Sequence, residues 1–392
     1  MIMTLRRLAS FLVSGWSRQP AVSPLEGFFL RLFFGIVILY TVQFGVEQNR
    51  EPHPVGLLKL LQPFGLTLTW LADPEAYEFF HRIIVGVTFL YIIGIGLPLV
   101  LPLLAVLHIL PFTLYNSQGY THHGYQIISL TLLIQACTAV YSVFRERRVF
   151  QWPSADLRRW LLVQSQVVIT GTYLVSVVTK MDSSKGMWLL NSHHVALDMV
   201  KTQRQNYLND LDPKYEKTTA DAIWFLERPG ISRILFSSGV VLEAVCIFAI
   251  GNRLLGFLFG LSLILMHRTI AHLMGLTFIY NEWLVMIFLV GFPFGLAWCF
   301  ERVRSLPIRR GLLMGLALAL PVSACFQGDA GGFTFKTLGA HLRDIMNLLG
   351  LWSQWDAAEF SGFVIPLVLT FLACGLVGAI AGWVYQLKRR EA

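Results

Sequence analysis

Charge is what this sequence has least of: 14% of its 392 residues are Asp, Glu, Lys or Arg, against 55% hydrophobic ones, whereas a soluble domain carries roughly 25% charged residues. That scarcity excludes an ordinary water-facing surface. Cysteine is also sparse. The five residues Cys137, Cys246, Cys299, Cys325 and Cys374 are scattered singly, without the CxxC or CxxCH spacing of a zinc site, a redox pair or a c-type haem, and no disulfide framework is indicated. There is no internal repeat of fixed period and no low-complexity tract.

Long apolar runs are present instead, each near the ~20 residues that a helix needs to cross about 30 Å of hydrocarbon. They predict membrane-spanning helices over 26–46, 78–98, 100–117, 124–144, 160–181, 231–250, 254–276, 282–301, 311–327 and 362–386. The expected fold class is therefore all-α: a polytopic integral membrane helical bundle of about ten transmembrane helices.

The net charge of +8 could point to nucleic acid, so the placement of the basic residues decides between partners. They cluster between apolar runs: Arg6, Arg7 and Arg18; Arg145, Arg147, Arg148, Arg158 and Arg159; Arg302, Arg304, Arg309 and Arg310; Lys388, Arg389 and Arg390. With both termini inside, every one of these clusters falls on the cytoplasmic side, which is the positive-inside pattern and not a nucleic-acid stripe. Multi-pass insertion in a plasma membrane, of the prokaryotic inner-membrane kind, is the expected location, with membrane lipids as the surrounding partners.

Three parts are expected. Residues 1–23 read as an interfacial amphipathic helix, with Leu5, Leu8, Phe11, Leu12 and Trp16 at helical spacing beside Arg6 and Arg7, a disordered tail being the other reading. Residues 24–300 form the main transmembrane domain. Residues 301–392 add C-terminal helices with an outward loop at 328–361. Between spans, 47–77 reads as a re-entrant or interfacial helix pair around Pro63 and Gly65, and 182–230 as a helix lying along the interface.

Ionisable residues at membrane depth are expensive and mark candidate sites. Asn116, His122 and His123 stand where the third span gives way to the fourth. Lys180 and Asp182 end the fifth, His193 and His194 follow, and His267 and His272 lie in the seventh. In the N-in orientation all of these fall toward the outer face. Each has a plain structural reading beside the functional one. Lys180 fits a lysine snorkelling to the interface. His122, His123, His193 and His194 fit interfacial polar positions. His267 and His272 are five residues apart and so do not share a face as an i, i+4 metal pair does. Glu243 and Arg268 fit a pair within the bundle, and Glu26 and Arg31 an anchor at the inner end of the first span. No metal is expected.

The segment YLVSVVTKMD at 173–182, with YTHHGYQIISL at 120–130 upstream and MHRTIAHLMGLTFIYNEWLVMIFLVGFP at 266–293 downstream, resembles in order and spacing the vitamin K-dependent gamma-carboxylase family and its bacterial HTTM relatives. The resemblance covers roughly residues 25–300. It implies Lys180 as the base that deprotonates a reduced naphthoquinone (vitamin K or menaquinol) and His123 as the group beside the quinone. His122, Asn116, Asp182, His193, His194, His267 and His272 are then candidates for binding quinone or substrate. An amine desolvated among apolar helices has its ammonium form disfavoured and can serve as a base near neutral pH. The implied activity is quinol- and oxygen-dependent deprotonation, with carboxylation or epoxidation, on a peptide or small molecule reaching the outer side. Two other readings stand beside it: a non-catalytic membrane factor that binds lipid or peptide, and a His-ligated di-iron or haem oxidase prompted by the ten histidines.

Overall fold

In the computed structural model of the chain, residues 21–42 and 56–301 are described, except 66, 120–122, 148, 151, 212–213, 275 and 277. The expected helix over 1–23, all but its last three residues, and the expected spans 311–327 and 362–386 with the loop 328–361 lie outside the described residues. Within them the regular structure is entirely helical, and seven helices are long and apolar enough to cross a membrane.

These seven are α1 (Pro24–Val42), α2 (Pro74–Ile93), α3 (Leu97–Ser117), α4 (His123–Glu146), α5 (Ala155–Ser183), Pro229–Ala249 and Arg253–Ala271. Many of their apolar side chains face outward: Leu265 is 69% exposed and Ile234 74%. In water such surfaces would associate; in lipid they are the required exterior.

Helix ends follow local chemistry. Asp73 caps α2 by accepting the Ala76 N–H at 2.8 Å, with Pro74 at the first position. Gly94 at φ 89° ends the helix by donating to the Leu90 carbonyl, and Gly96 at φ 65° starts α3. The break between the two spans therefore lies at 94–96, not at 99, because Gly-Ile-Gly supplies the left-handed backbone. Ser154 caps α5 through the Leu157 N–H at 3.1 Å. This sets its start five residues before the expected 160, and at 29 residues α5 reaches beyond a ~30 Å hydrocarbon layer.

The expected interface helix over 182–230 is two helices, α6 (Val195–Asp210) and α7 (Lys214–Leu226). They turn back on each other at Leu211, whose φ is 52°. The pair is held by Met199 and Ala222 against Leu273, with Gln203 donating to the Leu273 carbonyl at 2.8 Å. Residues 229–245 form α8 (Pro229–Val245), continued by a tight turn Cys246–Ala249, and α9 is Arg253–Met274. The expected span 282–301 is broken. It consists of α10 (Ile279–Val285), a π turn over Met286–Val290, Gly291 at φ 78°, and α11 (Phe292–Glu301). Residues 56–72 form only short helical pieces, Gly56–Leu61, Gln62–Phe64 and Thr69–Ala72, in keeping with the expected non-spanning segment.

The chain divides into two compact units. The N-terminal unit holds α1, α2 and α3, and α11 joins it from later in the chain. In its core Arg31 donates from Nε to the Ile92 carbonyl at 3.1 Å, Tyr77 donates to the Val42 carbonyl at 2.5 Å, and Thr41 Oγ1 lies 3.0 Å from His108 Nε2. Arg31 thus neutralises the carbonyl end of α2 and does more than anchor the end of its own span.

The central unit holds α4 to α10. Gly256 and Gly260, four apart on α9, lie against the π turn: a Cβ at Gly256 would sit 2.7 Å from the Leu289 carbonyl oxygen, and one at Gly260 2.8 Å from a Val290 methyl. This is small-residue packing as membrane helices use it. Gln166 on α5 donates to the Phe288 carbonyl at 2.8 Å and accepts from the Gly251 N–H at 2.9 Å. Backbone groups at the π turn and the α8–α9 turn are thereby satisfied where no water reaches.

Candidate functional site

Tyr173, Ser176 and Lys180 occupy i, i+3 and i+7 of α5 and so share one face. α8 presents Glu243 to that face. Lys180 Nζ stands 2.6 Å from Glu243 Oε2, and Ser176 Oγ donates to the same oxygen at 3.3 Å. The lysine side chain is 30% exposed and the glutamate 9%, so the pair sits at the edge of the interior. The Trp188 ring, 5.6 Å from the lysine nitrogen, covers the ammonium from another side. Glu243 is further fixed through its backbone, whose carbonyl accepts from Cys246 Sγ at 3.0 Å.

Lys180, Trp188 and Glu243 line a cavity of about 370 Å3 whose other walls come mainly from α8 and α9, including Leu235, Phe236, Leu242, Met266, Ile270 and Leu273. Gly239 lets the Met266 sulfur approach to 3.4 Å of where a Cβ would stand. Three hydroxyls also reach the wall, but each donates to its own helix: Ser238 to Leu235, Ser262 to Leu258 and Thr269 to Leu265. The charged pair is therefore the group that can recognise a ligand's polar end, while the rest of the wall accepts an apolar body.

His267 on α9 points elsewhere. It is 2% exposed, lies between the rings of Tyr173 and Phe278 at centroid distances of 5.7 and 4.8 Å, and has Nε2 3.3 Å from the Tyr173 hydroxyl. Among the described residues its Nδ1 has no hydrogen-bond partner. Next to it, Arg268 pairs with Glu282 at 2.6 Å. The pair expected from sequence, Glu243 with Arg268, is not formed: Glu243 pairs with Lys180, and Arg268 with Glu282.

Of the residues singled out from sequence, Lys180 lines the cavity and His123, Asp182, His193, His194 and His267 do not. His123 is exposed at the first turn of α4, 3.2 Å from Gln126 Oε1. Asp182 is exposed on the last turn of α5. The His193 and His194 rings are packed edge to face at 4.1 Å, and Arg233 reaches His193 Nδ1 at 3.5 Å. Asn116 belongs to the N-terminal unit, where its carbonyl accepts from Gly119. His122 and the side chain of His272 lie outside the described residues. No three His, Cys, Asp or Glu side chains among the described residues are grouped to hold a metal ion.

Sequence reasoning missed Glu243 and Trp188 as site residues. A lone carboxylate in an otherwise apolar span was the available signal for Glu243. For Trp188 there was none, since an aromatic after a helix end is also an ordinary interface anchor. Compared with protein-family models, with curated proteins and with solved structures, the chain matches none of them.

Proposed function

We propose that this chain is a multi-pass membrane protein that admits a lipid-soluble, amphipathic molecule to the cavity beside Lys180 and uses the Lys180–Glu243 pair to take a proton from it. The observation that carries the reading is the placement of one hydrogen-bonded acid–base pair on the wall of an otherwise apolar cavity. A reduced naphthoquinone fits that donor set in chemistry. It has a hydroxyl for the pair and an apolar ring and tail for Leu235, Met266 and Ile270. Such a quinol supplies reducing power toward oxygen, and overall quinol plus O2 yields quinone epoxide plus water. Lys180 and Glu243 hold and move the proton, Trp188 and Ser176 fix the pair, and the apolar wall excludes water. His123 is retained as a second candidate from the resemblance to the carboxylase-like family.

The test is incubation of purified protein with reduced menaquinone in air, followed by chromatography for the epoxide. Formation by wild type and its loss in Lys180→Met is expected; equal yields overturn the catalytic reading. A second reading, binding without catalysis, is favoured by a specific contact: Glu243 already neutralises the lysine at 2.6 Å, as it would in a site that only recognises a hydroxyl or amide. Saturable quinol binding that needs Lys180, with no epoxide, selects that reading.

A further inference from the structure

A second cavity, of about 420 Å3, lies between α4 and α5 in the central unit. The two helices run antiparallel. Gln135 bonds to Ser165 at 2.9 Å at one level, and Arg145 faces Asp156 at 3.7 Å at another. Ile134, Cys137, Tyr141 and Arg145 of α4 line it as one helical stripe, about 16 Å long at 1.5 Å per residue. Its character changes along that length. The Ile134 end carries Ile134 and Cys137, with the Thr138 hydroxyl turned back to the Ile134 carbonyl and Gln164 as its polar side chain from α5. Tyr141 and Trp160 follow, an aromatic pair of the kind that marks the headgroup level. Arg145, Glu146 and Asp156 close the other end. A groove leading from an uncharged end through aromatics to a charged end has the gradient of a single phospholipid.

The charges select the headgroup. Arg145 is 59% exposed and offers most of its guanidinium to a phosphate, since its one carboxylate contact is the long one to Asp156. Asp156 is shared: its Oδ1 takes Arg159 at 3.2 Å while its Oδ2 faces Arg145. Glu146 is different. Its Oε1 accepts from Ser154 Oγ at 2.6 Å, and its Oε2 has no hydrogen-bond partner among the described residues. With Arg159 and Asp156 balancing each other, Arg145 and Glu146 are the cation and the carboxylate left on the lining of the groove, side by side in sequence. A purely anionic head satisfies the first and is repelled by the second. A head that joins a phosphate to a primary ammonium satisfies both. A quaternary ammonium has no N–H to give Glu146.

We infer that the α4–α5 groove is a binding site for a phosphatidylethanolamine-type lipid, with phosphate on Arg145, ammonium on Glu146 and an acyl chain along Tyr141, Cys137 and Ile134. The site is separate from the Lys180 cavity and does not depend on what that cavity does.

Cys137 is an exposed free thiol on the groove wall, so occupancy can be read as its protection. The full-length protein, delipidated in a neutral detergent, is supplied with phosphatidylethanolamine, phosphatidylglycerol or phosphatidylcholine. N-ethylmaleimide modification of the Cys137 peptide is followed by mass spectrometry. Phosphatidylethanolamine is expected to slow modification about fivefold more than the other two, the scale of one partly exposed charge-assisted contact. Glu146→Gln should remove its advantage over phosphatidylglycerol, and Arg145→Gln should weaken all three. Because Glu146 also holds the cap residue of α5, the same comparison is made on wild type with mono- and dimethylated phosphatidylethanolamine, where protection should fall with each methyl. Equal protection by the three lipids, preference for phosphatidylglycerol, or indifference to methylation overturns the assignment.

Discussion

Both compact units tie buried polar side chains to backbone, Gln166 and Gln203 doing so in the central one, but they use charge differently. In the N-terminal unit, buried polar side chains are bound to backbone or to each other: Arg31 to the Ile92 carbonyl, Tyr77 to the Val42 carbonyl, His108 beside Thr41. In the central unit, two acid–base pairs cross between helices, Lys180–Glu243 and Arg268–Glu282, and one of them edges a cavity. A side chain committed to a backbone carbonyl completes a helix end and has little left to offer. A charge paired with another charge at a cavity wall can exchange its partner for a ligand. The extremes of burial fall in different units, α1 at 78% and Pro229–Ala249 at 22%, while α2 at 39% and α4 and α5 at 44% lie between. The buried arginine thus closes a helix end in the first unit, while in the second one charged pair remains available for recognition.

Substitutions in both units would break or sharpen that contrast. The largest effect is expected from Gly256→Leu, because its new Cβ would meet the Leu289 carbonyl oxygen at 2.7 Å and backbone cannot yield as a side chain does. A loss of about 3 kcal/mol or more should appear as loss of monodisperse protein on size-exclusion chromatography; a well-behaved variant would show that α9 and the π turn are not in contact. Next is Glu243→Ala, which strands Lys180. Removing one partner of a fully buried pair costs about 3–5 kcal/mol, but the lysine is 30% exposed, so about 1–3 kcal/mol is expected. Thermal unfolding in detergent measures it, and Lys180→Met combined with Glu243→Leu should recover most of the loss.

Arg31→Met sharpens the comparison from the other side. It removes the donor to the Ile92 carbonyl and should cost about 1–3 kcal/mol while leaving quinol binding unchanged. Lys180→Met should do the reverse, changing stability by less than about 1 kcal/mol in the presence of Glu243→Leu and abolishing binding. If Arg31→Met impairs binding as strongly as Lys180→Met, the division of labour fails. The smallest effect is expected for Thr41→Val, which loses the hydroxyl's contact with His108 at 3.0 Å and its local bond to the Ile38 carbonyl at 2.7 Å, about 1 kcal/mol, again by thermal unfolding.

Much of the fold was legible because it is local. The apolar runs announce the spans, whereas their ends, marked by Asp73-Pro74, Gly94, Gly96 and Ser154, were placed by hydropathy at 78, 99 and 160 instead. The hairpin of α6 and α7 was less so: Leu211, a residue with no preference for positive φ, makes the turn, and only the packing of Met199 and Ala222 on Leu273 accounts for it. The broken span at Gly291 was misread as continuous because hydropathy averages over a π turn whose Phe288 carbonyl is satisfied by Gln166 from another helix. Lys180 was identified as a candidate from an ionisable residue at depth, but its partner was not. Hydropathy places Glu243 and Arg268 in neighbouring spans, yet says nothing of the rotation of each helix about its axis.

The sequence alone determined that this chain is a series of apolar helices and that Lys180 stands near the end of one of them, because hydrophobicity, caps and glycine breaks act within a few residues. The tertiary structure decided that Lys180 meets Glu243 across a sequence separation of 63 residues, and that Met266, not His267, faces the cavity. Those choices follow from how Gly239, Gly256 and Gly260 let helices approach, which sets each helix's rotation and is a property of pairs of helices.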